Sequence, residues 1–395
     1  RDFCLSRGLG DVYKRQNTYC FGTDCEDDNE PVISIETSSE TEKPYWLLYV
    51  SGITGSLALL LATKLIFFPP SIQLIENKIL AVAPMMAWTD RHCRFFHRLF
   101  SQKILLFTEM ISTSALRFGE QYQLLDFSEE EHPVAVQFGG SEPEDLARCT
   151  ELAQKVGFDE VNLNIGCPSP RVQRGAFGAC LMKEPELVAK CVKAMISTTD
   201  LPITVKCRLG LGSNETTVFL NNFVEHVAKA GCKRIYVHAR IAILEGLSAA
   251  QNRSIPPLQP ERVRVLIATF PELEIVFNGG LSNEEEMLPI LTWADGVMIG
   301  RAAYQNPELL FNISHPGKTI STTERISVFR QYLDYMIIQM EQGEKLNRLT
   351  RPLLHCFSGM PGSRKYRQIL SDTTRLKSNN TSILNEAIDQ LGFSI

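Results

Sequence analysis

Eight short apolar runs alternate with amphipathic stretches between residues 79 and 316, and this alternation leaves the chain very few folds. The runs are ILAVAPM (79–85), ILLFTEM (104–110), PVAVQF (133–138), DEVNLNI (159–165), PITVKCR (202–208), RIYVHA (234–239), LEIVFNG (273–279) and DGVMIG (295–300). Each has the length of a strand, and most of the segments between them carry apolar residues at helical spacing. SEPEDLARCTELAQKVG (141–157) opens on Ser141 as an expected N-cap, with Glu and Asp in its first turn. Eight such units predict an α/β fold, a (β/α)8 TIM barrel spanning residues 78–316. A doubly wound open sheet is the alternative, but no GxGxxG follows the first run.

After Pro316 the strand pattern stops. TTERISVFRQYLDYMIIQMEQG (322–343) and the segments beyond it keep helical spacing, which predicts a small all-α domain over 317–395. The formal charge of −5 argues against a uniformly basic surface, yet charge is segregated: residues 345–377 hold eight Lys or Arg against Asp372 alone. The bland reading of that cluster is a solvated helix face; the functional one is a site for a polyanion.

The N-terminal part carries no such patterning. The first sixteen residues, ending GDVYKRQ, read as translated sequencing-adapter sequence. The stretch 17–77 begins acidic and poor in large apolar groups, with eight acidic residues between 24 and 43, and is expected to be disordered there. Within it, 45–68 opens with nineteen residues free of charge, 45–63, the length of a bilayer span. A membrane anchor or targeting segment, translated non-coding sequence and a helix docked on the domain all remain open readings. Eleven cysteines without a Cys-x-x-Cys or a repeating spacing read as reduced thiols rather than disulfides or a metal site. A reducing compartment follows, either cytoplasm or an organelle such as a plastid or mitochondrion.

Barrel chemistry sits where the strands end. The polar or conformationally special residues at those ends are Pro84, Met85 and Met86; Glu109; Gln137; Asn164 and Cys167; Lys206; His238 and Arg240; Asn278, Gly279 and Gly280; Gly300 and Arg301. The glycines of NGG and GR follow strands seven and eight, where barrels commonly hold phosphate, and they let backbone N–H groups approach it. A phosphorylated cofactor is therefore expected. Lys206 can stabilise negative charge on a reduced flavin, and the Gln137 amide can pair with a flavin carbonyl and imide N–H. Singly, Lys206 and His238 also read as polar caps on strand ends.

Cys167 lies between Gly166 and Pro168, ahead of a loop with Arg171 and Arg174 that reads as mobile and cationic. A structural cysteine in a tight turn is the plain alternative, weakened by the opposing cofactor site. An ordinary thiol holds its proton at neutral pH, which suits a general acid as well as a latent nucleophile.

LNIGCPSPRVQRGAFGACLM (163–182), with APMM, VQFGG, VKCRLG, VHAR, NGG and GRAAYQNP in this order, resembles the tRNA-dihydrouridine synthases, most closely the A branch acting on uridines 20 and 20a. The resemblance spans about residues 79–392 and implies an FMN-bearing barrel followed by a helical tRNA-binding domain. It implies that NADPH reduces the flavin, that hydride passes to C6 of a D-loop uracil, and that Cys167 protonates C5. Carried over by position, Pro84, Met85, Met86, Gln137, Lys206, His238, Asn278, Gly279, Gly280, Gly300 and Arg301 hold FMN. Asn164 touches the uridine, and Arg253, Arg364 and Arg367 contact tRNA. The loop bearing Arg171 and Arg174 is expected to close over an extruded base.

Departures occur where the branch has Lys and Trp after HAR: this chain has Ile241 and Ile243, and Ala250 replaces a basic residue. They fall on the expected RNA footprint rather than on the redox site. Two other readings stay open: a flavin barrel acting on a small pyrimidine or enone, and a non-catalytic tRNA-binding protein.

Overall fold

The structure is a computed structural model that describes residues 75–212 and 216–392. The expected adapter, the acidic stretch and the apolar segment 45–68 lie outside the described residues. Among the described residues, no helix is long and apolar enough to cross a membrane.

Each of the eight apolar runs carries one strand, two of which continue past the run, β2 to Ser112 and β3 to Gly139: β1 Ile79–Val82, β2 Leu106–Ser112, β3 Val134–Gly139, β4 Glu160–Ile165, β5 Ile203–Arg208, β6 Arg234–His238, β7 Glu274–Asn278 and β8 Gly296–Ile299. They form one parallel sheet in the order β1-β8-β7-β6-β5-β4-β3-β2. A parallel bridge between Ala81 and Leu105 closes it. There the Val82 N–H donates to the Leu105 carbonyl and the Leu105 N–H to the Leu80 carbonyl, both at 2.9 Å. The closed sheet is a (β/α)8 barrel.

Helices follow the strands in turn: α1 Arg91–Arg98, α2 Thr113–Phe118, α3 Pro143–Val156, α4 Pro185–Ile196, α5 Thr217–Lys229, α6 Pro260–Thr269, α7 Glu284–Leu291 and α8 Glu308–Ser314. Two local expectations are corrected. α3 is capped at Glu142 rather than Ser141, because Pro143 lacks an N–H and its fixed φ suits the first helical position. β1 stops at Val82, short of Pro84 and Met85. The Ala83 N–H still bonds the Ile299 carbonyl, but Pro84 has no N–H with which to extend the ladder.

Strand alternation divides the side chains into two populations. Leu80, Val136, Val161, Leu163, Val205, Val237, Phe277 and Val297 face the helices and join the large core. The opposite set fills the barrel, where Ala81, Ala83, Phe107, Ala135, Tyr236, Val276 and Met298 make a separate small cluster. On β3, β4 and β5 the inward positions turn polar: Gln137, Glu160, Asn162, Asn164 and Thr204 are all buried.

Beyond the barrel the described chain is helical, with α9 Thr322–Glu341, α10 Ser363–Leu370 and α11 Ser382–Asp389 as its longer pieces. Ser321 and Glu324 cap α9 reciprocally. α9 lays Tyr332 and Tyr335 on α1: Phe95 stacks on Tyr335 at 3.9 Å and Phe96 meets Tyr332 edge-on at 4.9 Å. The buried His92 Nδ1 bonds the Tyr335 hydroxyl at 2.8 Å. Aromatic burial with a satisfied polar tip is what holds this segment to the barrel.

Candidate active site

β4 delivers the chain to the rim and turns sharply through Gly166, Cys167 and Pro168. Asn164 shapes the turn: its Oδ1 accepts the N–H groups of Gly166 at 3.2 Å and Cys167 at 3.0 Å. Ser169 then caps the short helix Pro170–Arg174, accepting the Val172 N–H at 3.3 Å. The segment read as a loop thus contains a turn and a short helix. The Ala179 N–H bonds the Cys167 carbonyl at 3.0 Å, and the Gln173 amide donates to the Pro168 and Leu244 carbonyls at 2.9 Å each. Gly178 sits at φ +78°, and a Cβ there would lie 2.4 Å from Val172 Cγ1 and 2.7 Å from the Cys167 carbonyl oxygen. Only glycine lets the chain fold back this closely on the cysteine. Cys167 itself is half-buried, with Arg171 and Arg174 exposed on the helix beside it.

Across the rim, strands β5 to β8 assemble a cationic pocket. Lys206 Nζ donates to Asn278 Oδ1 at 3.0 Å, and Asn278 Nδ2 to the Met298 carbonyl at 2.7 Å. Burial, and then the Arg208 charge, pull the Lys206 pKa down to about 8. Burial also pushes His238 well below its usual range, with Arg208, Lys206, Arg240 and Arg253 adding to the effect, so its imidazole is neutral. Arg240 and Arg253 are each lowered by burial and by Arg301. Among the described residues, no carboxylate contributes to the shifts of Lys206, Arg208, Arg240 or Arg253. Arg240 Nε is also buried without a partner.

The pocket floor is glycine. Gly279 and Gly280 have φ of +119° and +71°, and a Cβ on Gly279 would lie 2.8 Å from His238 Cδ2. At Gly300 a Cβ would meet nothing within 4 Å, so the space above it is open. Glycine backbone beside a cluster of cations is the chemistry that an anion requires.

The Lys206 shift has a thermal consequence in the cofactor-free protein. With a folded pKa of about 8 against about 10.4 for the unfolded side chain, the unfolded chain binds more protons between those values. Stability contributed at this position therefore rises as pH climbs from 8 to 10. Melting curves should show that rise in the cofactor-free wild type and a smaller one in Lys206→Met.

The remaining predicted residues lie on the same rim with different exposure. Pro84 and Met85 are half-buried and Met86 is 59% exposed. Their loop is held by Thr89, whose hydroxyl accepts the Met85 N–H at 3.0 Å, and by Glu109, which accepts from the Ala87 and Trp88 backbone. Trp88 stacks on Tyr304 at 4.6 Å, and Tyr304 meets His355 edge-on. The Tyr304 hydroxyl donates to the Arg351 carbonyl at 3.2 Å. Arg367, whose charge reaches His355, is linked to the rim this way; Arg364 is exposed on α10. Within the basic cluster, Arg348 and Arg375 pair with Glu344 and Glu386.

Gln137, only 1% exposed, is tied inward at both ends: its Nε2 donates to Asn162 Oδ1 and its Oε1 accepts from Asn164 Nδ2, each at 2.7 Å. One further bond remains to each end of the amide. The departures at 241 and 243 are apolar packing, with Ile241 buried and Ile243 half-buried against the core, while Ala250 is exposed.

Arg208 is a residue the sequence reading passed over. It is buried and donates to the carbonyls of Gly166 at 3.2 Å, Ile241 at 3.1 Å and Asn252 at 2.8 Å, joining the cysteine turn to the loop after β6. Asn252 folds that loop, exchanging bonds with both backbone groups of Ile243 at 2.8 Å.

Comparison with known proteins agrees with this geometry. The family model described as dihydrouridine synthase matches residues 81–391. A Vibrio cholerae protein named tRNA-dihydrouridine(20/20a) synthase is 46% identical over 317 residues, covering 80% of this chain and 97% of the relative. Similarly named proteins from Synechocystis and Pseudomonas putida are each 46% identical, covering 95% and 93% of their own lengths. With its barrel, its cysteine turn and a family match over most of its length, the chain belongs to the dihydrouridine synthase family.

Proposed function

We propose that this enzyme is an FMN-dependent tRNA-dihydrouridine synthase that reduces D-loop uridines 20 and 20a with NADPH. Residues 78–316 hold the cofactor and 317–395 hold much of the tRNA. The observation that carries this reading is the Cys167 turn, held on the same rim as the cationic cluster of Lys206, Arg208, Arg240 and Arg253.

The pocket suits FMN. The Gly279, Gly280 and Gly300 backbone, the Arg301 charge and the neutral His238 imidazole would hold its phosphate. Lys206, Asn278 and the spare bonds of Gln137 would serve the ring, and Pro84, Met85 and Met86 would flank it. When bound and reduced, FMN supplies the hydride for C6 of the uracil. The chain supplies the proton: Cys167 Sγ–H gives it to C5. Asn164 holds the Cys167 backbone and borders the base. Arg171 and Arg174 lie on the helix next to the thiol, where the phosphates of an extruded nucleotide arrive, and Arg253, Arg364 and Arg367 extend the same charge. Among the described residues the eight cysteines are free thiols, six of them buried, which suits a reducing compartment.

The purified protein should show a flavin spectrum that NADPH bleaches and that tRNA, but not free uridine, restores under anaerobic conditions. Recovery with free uridine as efficient as with tRNA would point to a small-pyrimidine reductase. The double variant Arg364→Glu, Arg367→Glu should weaken tRNA binding at least about tenfold at low salt and flatten its salt dependence, with flavin bleaching unchanged. Filter binding across a salt series measures this.

A further inference from the structure

The polar side chains inside the barrel form a continuous line whose inner members, Asn162, Thr204 and Glu160, the chemistry so far has not used. From the cysteine turn it runs Asn164, Gln137, Asn162, Thr204 and Glu160. Asn164 Nδ2 donates to Gln137 Oε1 at 2.7 Å, Gln137 Nε2 to Asn162 Oδ1 at 2.7 Å, Asn162 Nδ2 to Thr204 Oγ1 at 2.8 Å, and the Thr204 hydroxyl to Glu160 Oε1 at 2.6 Å. The other Glu160 oxygen accepts from Arg234 at 2.9 Å and from the Tyr236 hydroxyl at 3.2 Å. Glu160, Asn162 and Thr204 are all at most 2% exposed.

The direction of this line is dictated by its ends. Backbone N–H groups of Gly166 and Cys167 can only donate, so Asn164 must turn its oxygen toward them and its NH2 away. At the far end a carboxylate paired with Arg234 accepts, so the Thr204 proton points to Glu160 and leaves Thr204 a lone pair for Asn162. Each amide between them is thereby fixed in one of its two orientations. Without that terminus Asn162 Nδ2 loses its buried acceptor, and the amides are held from the cysteine turn alone, so each is free to shift or rotate.

We propose that Glu160, Asn162 and Thr204 are positioning residues, which through Gln137 and Asn164 orient the Cys167 turn for proton delivery. The proposal rests on the reading of Cys167 as the proton donor, but its first test does not. In Thr204→Val, which keeps the shape and removes the hydroxyl, hydrogen exchange of the segment holding Gly166 and Cys167 should quicken by about tenfold. In the flavin-loaded enzyme, reoxidation by tRNA should slow by at least about tenfold while bleaching by NADPH and the KM for tRNA stay within about twofold. Thr204→Ser should restore both. Glu160→Gln, which places a donor at the terminus, should reproduce the exchange effect and serves if the valine variant does not fold. Exchange at Gly166 and Cys167 unchanged in the folded variants would overturn the proposal. So would equal slowing of both half-reactions that serine does not rescue. Faster exchange with undiminished reoxidation would also overturn it, whereas failure of the proton-donor reading itself shows separately, as undiminished dihydrouridine formation in Cys167→Ala.

Discussion

Replacing Cys167 by alanine should leave a yellow, folded protein that NADPH still bleaches and that forms dihydrouridine about 10²–10⁴-fold more slowly than wild type, the usual contribution of a positioned general acid. The fold should tolerate the change. The turn is held by backbone groups, the two N–H bonds to Asn164 and the Cys167 carbonyl bond from Ala179, and alanine keeps all of them. Neither the glycine floor nor Lys206 depends on the thiol for a hydrogen bond; the Lys206 amine is held by Asn278. Rapid-reaction absorbance separates the two steps, with bleaching by NADPH first and recovery on tRNA second. Serine at 167 should recover little, since a hydroxyl gives up its proton far less readily than a thiol.

Gly279→Ala should produce a nearly colourless protein, through two effects that act in one direction. At φ +119° an L-residue costs about 1–3 kcal/mol, and the new methyl would lie 2.8 Å from His238 Cδ2 and 3.0 Å from Leu258 Cδ1. Relief of that crowding displaces the imidazole at the phosphate end of the pocket. Flavin affinity should fall roughly ten- to hundredfold. Gly300→Ala is the informative companion, because its Cβ meets nothing within 4 Å and should leave the melting temperature of the cofactor-free protein unchanged. Loss of flavin from that variant too would mean that the ligand occupies the open space; measured flavin content and melting curves distinguish strain from occlusion.

The barrel was legible because its information is periodic. Each strand is a short apolar run, and closure asks only that eight be present in sequence. The rim was legible for the same reason, since strand ends name the residues that share it. What lay hidden depends on contacts between strands. Arg208 sits in the legible stretch VKCRLG, but a cation at a strand end gives no sign that three carbonyls from separate segments will bury it. Asn252 falls in a loop with no pattern at all. The interior line was visible in part: Glu160, Asn162 and Asn164 recur every second residue in a strand that should be apolar on both faces, and period two places them all inward. Its continuation through Thr204 and Gln137 requires the register of β3, β4 and β5. The Ser141 cap was misplaced because Pro143, two residues on, has the stronger positional preference.

The central claim is that this chain, loaded with flavin, reduces uridine in tRNA. Unmodified tRNA incubated with the purified enzyme and NADPH, then digested and mapped by mass spectrometry, tests it most directly. A gain of two hydrogens is expected at D-loop uridines 20 and 20a, with one NADPH consumed per site and no such gain with Cys167→Ala within the same time. Bound flavin oxidised by tRNA without any dihydrouridine, or tRNA uridines left intact by a flavin-loaded wild-type enzyme, would contradict it.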